Sequence, residues 1–192
     1  TDIGNDTQYG NVPFILKNGK FEAEKKVIYI EDTKPHTFRA YYPYNAAGGI
    51  LAATTDATAQ QNQSSIDFLF ATGATGDKNS PVVSFTNKTG KGGEDNSFHH
   101  RMSRITLTLE AGDGVDFSVV KPERYTLDAL ILTGTFNTAD GIATADDGAQ
   151  AESLAMDLTD GNLTSSVILF PQTATSLPLV VNYKGQEYHA TL

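Results

Sequence analysis

The residues best suited to chemistry in this chain are the adjacent histidines His99 and His100, with Ser103 close behind them. Two imidazoles could ligate a transition metal, and a serine with a histidine and an aspartate is the minimum kit of a hydrolase triad. The spacing argues against both. Neighbouring residues on a strand point to opposite faces, so His99 and His100 cannot hold one ion without ligands from other strands. The remaining histidines, His36 and His189, are remote in sequence. No Gly-x-Ser-x-Gly elbow surrounds any serine. Aspartate-glycine pairs recur at Asp140-Gly141, Asp147-Gly148 and Asp160-Gly161, and Asp146-Asp147-Gly148 is the best placed of them for calcium. None has the alternating ligands and later glutamate of a calcium-binding loop, whereas Asp beside Gly has a local role in turns. Paired carboxylates for glycoside hydrolysis need only meet in space, so the sequence leaves them open. The last candidates are Tyr41, Tyr42 and Tyr44. Aromatic faces can stack on sugars, and alternation puts Tyr42 and Tyr44 on one face and Tyr41 on the other. One face is expected to pack in a core with its hydroxyls at the rim; the other use of the trio is contact with a glycan or a partner. No residue is assigned as catalytic, cofactor-binding or metal-ligating.

Composition narrows the classes further. The 192 residues carry 23 acidic and 14 basic side chains, a formal charge of −9, with no basic cluster to neutralise phosphates. Nucleic acid is therefore not an expected partner. Cysteine is absent, which removes disulfides, thiolate metal sites and thiol nucleophiles but fixes no compartment. No apolar run approaches the ~20 residues that span a bilayer. Thr1 opens neither a signal peptide nor a chain with its initiator methionine, so the chain is expected to be a processed or trimmed piece.

The elements that would position these residues read as all-β. Short apolar runs alternate with Gly, Asn and Asp turns, and no window sustains a helical period. Phe14 and Leu16 lead through Asn18-Gly19, a strong hairpin turn, to Phe21 and Ala23. Further strands are expected at Val27 to Ile30, Phe38 to Tyr44, Ser65 to Ala71, Val82 to Phe85 and Arg104 to Leu109. Beyond these come Tyr125 to Leu132, Thr135-Phe136, Leu154 to Leu158, Val167 to Phe170, Leu179 to Tyr183 and Tyr188 to Leu192. Residues 45 to 65 are expected to be mainly loop. Glu152 to Leu158 also fits a short helix, but seven residues make a weak one, and strand is preferred. Phe98 and Met102 fall on even numbers while Ile105, Leu107 and Leu109 are odd, a phase slip that a β-bulge near Ser103-Arg104 would supply. Ala-Gly-Asp-Gly at 111–114 is the expected boundary between a domain at 1–113 and another at 114–192.

Five segments in order carry a family resemblance: Ala40-Tyr-Tyr-Pro-Tyr44, Asp67-Phe-Leu-Phe-Ala71, Phe98-His-His-Arg-Met-Ser-Arg-Ile-Thr-Leu-Thr-Leu109, Gly134-Thr-Phe-Asn-Thr-Ala-Asp-Gly141 and Ile168-Leu-Phe-Pro-Gln172. Together they resemble the fimbrillin-like family of Bacteroidales surface proteins. The resemblance implies two transthyretin-like antiparallel β-sandwiches in series, the second incomplete at residue 192. It implies a non-enzymatic, cofactor-free subunit of a cell-surface fimbria, assembled by strand exchange with other pilus subunits. Host proteins or glycans are the further partners implied, and the outer membrane is reached only through an N-terminal lipid anchor outside this chain. A non-polymerising surface adhesin or glycan-binding module on the same scaffold is the alternative.

Overall fold

The computed structural model describes residues 10–24, 30, 32–86, 96–158 and 161–192. The described strands are β1 (Phe14–Lys17), β2 (Lys20–Ala23), β3 (His36–Tyr42), β4 (Ile50–Thr54), β5 (Leu69–Gly76), β6 (His99–His100) and β7 (Ser103–Thr108), with a 3-10 segment, Ala59–Ser65, after β4. There follow β8 (Arg124–Leu130), β9 (Thr133–Asn137), β10 (Ala143–Ala145), β11 (Glu152–Asp157), β12 (Thr164–Leu169), β13 (Pro178–Tyr183) and β14 (Gln186–Thr191). Every strand pair in these sheets with a defined register is antiparallel. The chain is all-β and sandwich-like, as expected. Glu152–Asp157 is a strand.

Contacts divide the chain into two units that interleave along the sequence. The first holds the described residues up to Leu51, Phe68–His100 and Asn137–Ile142; the second holds Ala52–Asp67, Arg101–Phe136 and Ala143–Leu192. The break expected between residues 113 and 114 therefore lies inside the second unit. The reason is register: β7, before that point, is laddered along its length to β12, after it, from Ser103↔Leu169 to Thr108↔Thr164.

In the first unit β1 and β2 form the expected hairpin, with Asn18 at φ 50° and Gly19 at φ 77° supplying the left-handed turn. A second sheet runs β3-β5-β6. Its register slips by one residue on β5, where Gly73 sits at φ 82° opposite the step from Phe38 to Ala40. Phe38, Phe70, Ala71 and Ala74 are buried in this unit.

The second unit is a sandwich. A four-stranded sheet ordered β11-β8-β13-β14 and a two-stranded sheet, β12-β7, share one core. Tyr125, Leu127 and Leu130 of β8, Leu154 of β11 and Leu179 of β13 meet Val167 and Leu169 of β12, with Ile105 and Leu107 of β7 packed alongside. The alternation read at Ile105 and Leu107 thus faces this core. At its rim the Tyr125 hydroxyl and Ser165 Oγ bond at 2.9 Å, and burial pushes that phenol's pKa up. A third sheet, β10-β9-β4, draws most of its residues from the same unit.

Three sequence expectations change. The 45–65 region is not mainly loop: it holds β4 and the 3-10 segment. Residues 82–85 are not strand; their vicinity has one isolated bridge, Thr86 with Ser97. The slip near Ser103 is no bulge within a strand. β6 pairs with β5, whereas β7 pairs with β12, so the chain changes sheets at Arg101-Met102 and restarts its alternation. A bulge in this unit is on β8, where Ala129 at φ 60° supplies the extra residue opposite the step from Glu152, paired with Leu130, to Leu154, paired with Leu127. The strand expected at 27–30 lies outside the described residues except for Ile30, which is not in a strand.

Two stability results follow. Leu127, fully buried, is expected to cost about 2–5 kcal/mol when replaced by alanine. Leu16, 64% exposed, changes little under the same substitution, and denaturant unfolding of the two variants checks the contrast. Arg124 Nε donates to Asp157 Oδ1 at 2.6 Å, and that hydrogen bond holds the Asp157 carboxyl below its usual 3.8. A lowered folded-state value stabilises above the unfolded value, and the gain is lost as pH falls through the folded one. Asp157→Asn should thus lose less stability than the parent as pH drops below about 4. The pair is exposed, so a small difference is expected in melts across that range.

Candidate functional site: an open strand edge beside an apolar cleft

Among the described residues two histidines are paired with a carboxylate. His36 Nε2 lies 2.7 Å from Asp32 Oδ1, and that bond lowers the Asp32 pKa; His189 stands 3.8 Å from Glu187. His99 and His100 sit exposed on β6. No group of three or more His, Asp or Glu side chains that could hold a metal ion occurs among the described residues. Asp146 lies in a turn: its N–H donates to Thr133 O at 3.0 Å and its carbonyl accepts from Ala149 N at 3.4 Å. Ser103 is a ladder residue of β7, paired with Leu169.

The tyrosine trio separates as alternation requires. Tyr41 is half-buried, its hydroxyl 2.5 Å from Asn11 Oδ1 and 2.9 Å from Asn45 O, and burial raises its pKa. The Asn11 amide also donates to Asn45 O at 2.9 Å, so Tyr41 and Asn11 together fix the turn that follows β3. Tyr42 and Tyr44 are the exposed pair, at 46% and 45%.

Among the described residues, unmet bonding capacity lies in the backbone of edge strands, and the β12-β7 sheet shows which groups are concerned. Ile168 N donates to Gln60 Oε1 at 3.0 Å, and the carbonyls of Ile168 and Ser166 accept from the Gln60 and Gln63 amides at 2.7 and 2.6 Å. Residues 166 and 168 of β12 therefore turn their backbone groups away from β7. In an antiparallel ladder successive residues point to opposite sides, so 165, 167 and 169 face β7 and bond to Leu107, Ile105 and Ser103. It follows that Arg104, Thr106 and Thr108 turn their N–H and C=O groups to the far side of β7. Among the described residues no strand pairs there. At the Ser103–Leu169 end of the β7-β12 pair lies a cleft of about 170 Å³, lined chiefly by Ile105, Leu130, Leu169, Phe170 and Leu177, with Ser103 and Gln172 among its polar members.

An unpaired edge next to an apolar cleft can do two things at once. It can accept ladder hydrogen bonds from an added strand, and it can bury that strand's alternate side chains. On the outer face the β7 side chains are already engaged: Thr106 Oγ1 bonds Ser166 Oγ at 2.9 Å and Thr108 Oγ1 bonds Thr164 Oγ1 at 3.1 Å. These polar pairs hold the strand flat without occupying its edge.

The sequence model of the fimbrillin-like family matches residues 1–192. The chain belongs to the fimbrillin-like family. A crystal structure of a proposed cell adhesion protein from Bacteroides ovatus is 30% identical, with a TM-score of 0.71 over 90% of this chain. Another, from Bacteroides uniformis, is 24% identical, with a TM-score of 0.70 over 88% of this chain, and shows the same fold. The chain spans 64% and 65% of those two structures' lengths. No curated protein matches it.

The segments that carried the fimbrillin-like resemblance turn out to be packing devices. A Cβ at Gly134 would collide with the Thr144 carbonyl and lie 2.7 Å from the Phe170 ring. One at Gly141, at φ 74°, would collide with the Phe70 ring. Gln172 closes the set: Ile131 N donates to its Oε1 at 2.8 Å, and its Nε2 donates back to Ile131 O at 2.9 Å. Sequence reading missed Gln60 and Gln63, at which only the glutamine density at 60–63 hinted, and it placed Gln172 in a family segment without its bonds to Ile131. Gly134→Ala is expected to destabilise by about 1–3 kcal/mol through overpacking. Gly112→Ala, where a Cβ meets nothing within 4 Å, should be neutral within about 0.5 kcal/mol. Thermal unfolding of the two variants decides between packing and mere conformational preference.

Proposed function

We propose that this fimbrillin-like protein is a non-enzymatic structural and adhesive subunit of a bacterial surface fimbria, assembling by strand exchange with other subunits. The observation that carries the reading is the outer edge of β7 beside its apolar cleft. A donor strand laid along Arg104, Thr106 and Thr108 would complete their hydrogen bonds. Its alternate side chains would enter the cleft at Ile105, Leu130 and Leu177. Repeated head to tail, such a contact is heterologous and grows a filament rather than closing a dimer. Family membership and the B. ovatus neighbour support surface display and adhesion. Outer-membrane attachment through an N-terminal lipid belongs to the same proposal.

Thr106→Pro tests the edge. Proline in place of an outward N–H costs no bond within the ladder, but its ring occupies the approach of an added strand. The full-length parent protein, taken from cells and run in SDS without boiling, should give a ladder that collapses to monomer on boiling. The variant should run as monomer with a melting temperature near the parent's. An undiminished ladder in the variant would show that β7 is not the acceptor. A parent without a ladder, and without filaments by electron microscopy, would count against a polymerising subunit.

That last outcome would favour the second reading, a non-polymerising adhesin or glycan-binding module. Its supporting observation is the exposed pair Tyr42 and Tyr44, with Tyr41 held inward by Asn11 and Asn45. In that case Tyr42→Ala with Tyr44→Ala should abolish binding of the isolated monomer on a glycan array; unchanged binding would remove these residues from the account.

A further inference from the structure

We infer that the 3-10 segment Ala59–Ser65 is an edge lock, whose Gln60 and Gln63 amides occupy the outer edge of β12 as a strand would. Within the β12-β7 sheet, strand addition is thereby confined to the outer edge of β7. The inference rests on the strand-exchange reading, and it adds why only one side of the β12-β7 sheet is available.

A carboxamide has the donor and acceptor of a peptide group. Gln60 uses it in that way: it accepts from Ile168 N at 3.0 Å and donates to Ile168 O at 2.7 Å, the reciprocal pair that a ladder partner makes. Its second N–H donates to Thr55 O at 2.8 Å, and its oxygen also accepts from Gln63 Nε2 at 3.2 Å. All four bonding positions of the amide are filled. The same Gln63 nitrogen donates to Ser166 O at 2.6 Å. Gln60 is 5% exposed, and Thr55, fully buried, is anchored to Leu132 O by its N–H at 2.7 Å and its hydroxyl at 3.1 Å.

The segment's backbone is shaped for this. Asn62, at φ −132° and ψ 70°, breaks the helical path between the two glutamines. Polar side chains at buried positions are costly when unpaired, and an alanine or leucine at 60 would leave Ile168 with two orphan backbone groups. Such an edge is a template for another chain.

Gln60→Ala with Gln63→Ala removes the lock. In the parent monomer the Ile168 amide should exchange with deuterium at least about a hundredfold more slowly than the outward Thr106 amide. The double variant should lose that protection and self-associate on size-exclusion chromatography with light scattering. The association should survive added Thr106→Pro, because it uses β12. An Ile168 amide that exchanges as fast as Thr106 in the parent would overturn the lock. So would a folded double variant that exposes Ile168 yet stays monomeric at the same concentration. If the double variant does not fold, Gln63→Ala alone frees only the Ser166 carbonyl and should raise association to a lesser degree; no rise would again overturn the lock. Failure of Thr106→Pro to reduce polymers in the full-length protein would instead sink the acceptor role of β7 and leave the Ile168 result standing.

Discussion

Every strand edge carries backbone N–H and C=O groups that must find partners, and in a sheet of only two strands half of them face outward. The β12-β7 pair is such a sheet, and the second unit is organised around what those outward groups meet. On the β12 side the answer is side-chain amide. Gln60 bonds Ile168 with the reciprocal pair of a ladder partner, and Gln63 bonds the Ser166 carbonyl. At the junction of β8 and β9 the Gln172 amide does the same for Ile131. An amide side chain from a turn can complete a ladder locally while offering no further edge of its own, which a real strand would. The β7 side has no such cover among the described residues, and Ser103 and Ile105 of β7 help to line the apolar cleft.

This arrangement links packing to function. The core formed by Leu127, Leu154, Val167 and their neighbours fixes β7 against the four-stranded sheet, so the edge is presented on a rigid support. The threonine and serine pairs on the outer face of β7 and β12 keep that surface polar. An extended backbone edge with unmet bonding capacity is a surface that an extended chain can recognise.

How much of this could be read beforehand depends on the kind of signal. Ile105, Leu107 and the hairpin turn at Asn18-Gly19 were legible because alternation and left-handed turns are local properties of the chain. The strand Glu152–Asp157 was legible for the same reason. The change of sheet at Arg101-Met102 looked like a bulge, since a phase slip reports only that the alternation restarts and not which partner each half finds. The interleaving of the units was invisible because the β7–β12 pairing spans some sixty residues of sequence with no local mark. Ala-Gln-Gln-Asn-Gln-Ser-Ser read as loop since its role is made by side-chain bonds to a distant strand. Of the tyrosines, alternation separated Tyr41 from Tyr42 and Tyr44, while only the contacts with Asn11 and Asn45 showed which one is held inward.

The most direct test of the account is residue-resolved hydrogen exchange at Arg104, Thr106 and Thr108, measured in the monomer and again in the assembled polymer. The account predicts fast exchange at all three amides in the monomer and strong protection at all three after assembly. Amides already protected in the monomer would mean the edge is covered by its own chain. Amides still exchanging fast in the polymer would mean that subunits join elsewhere, and either result would contradict the central claim.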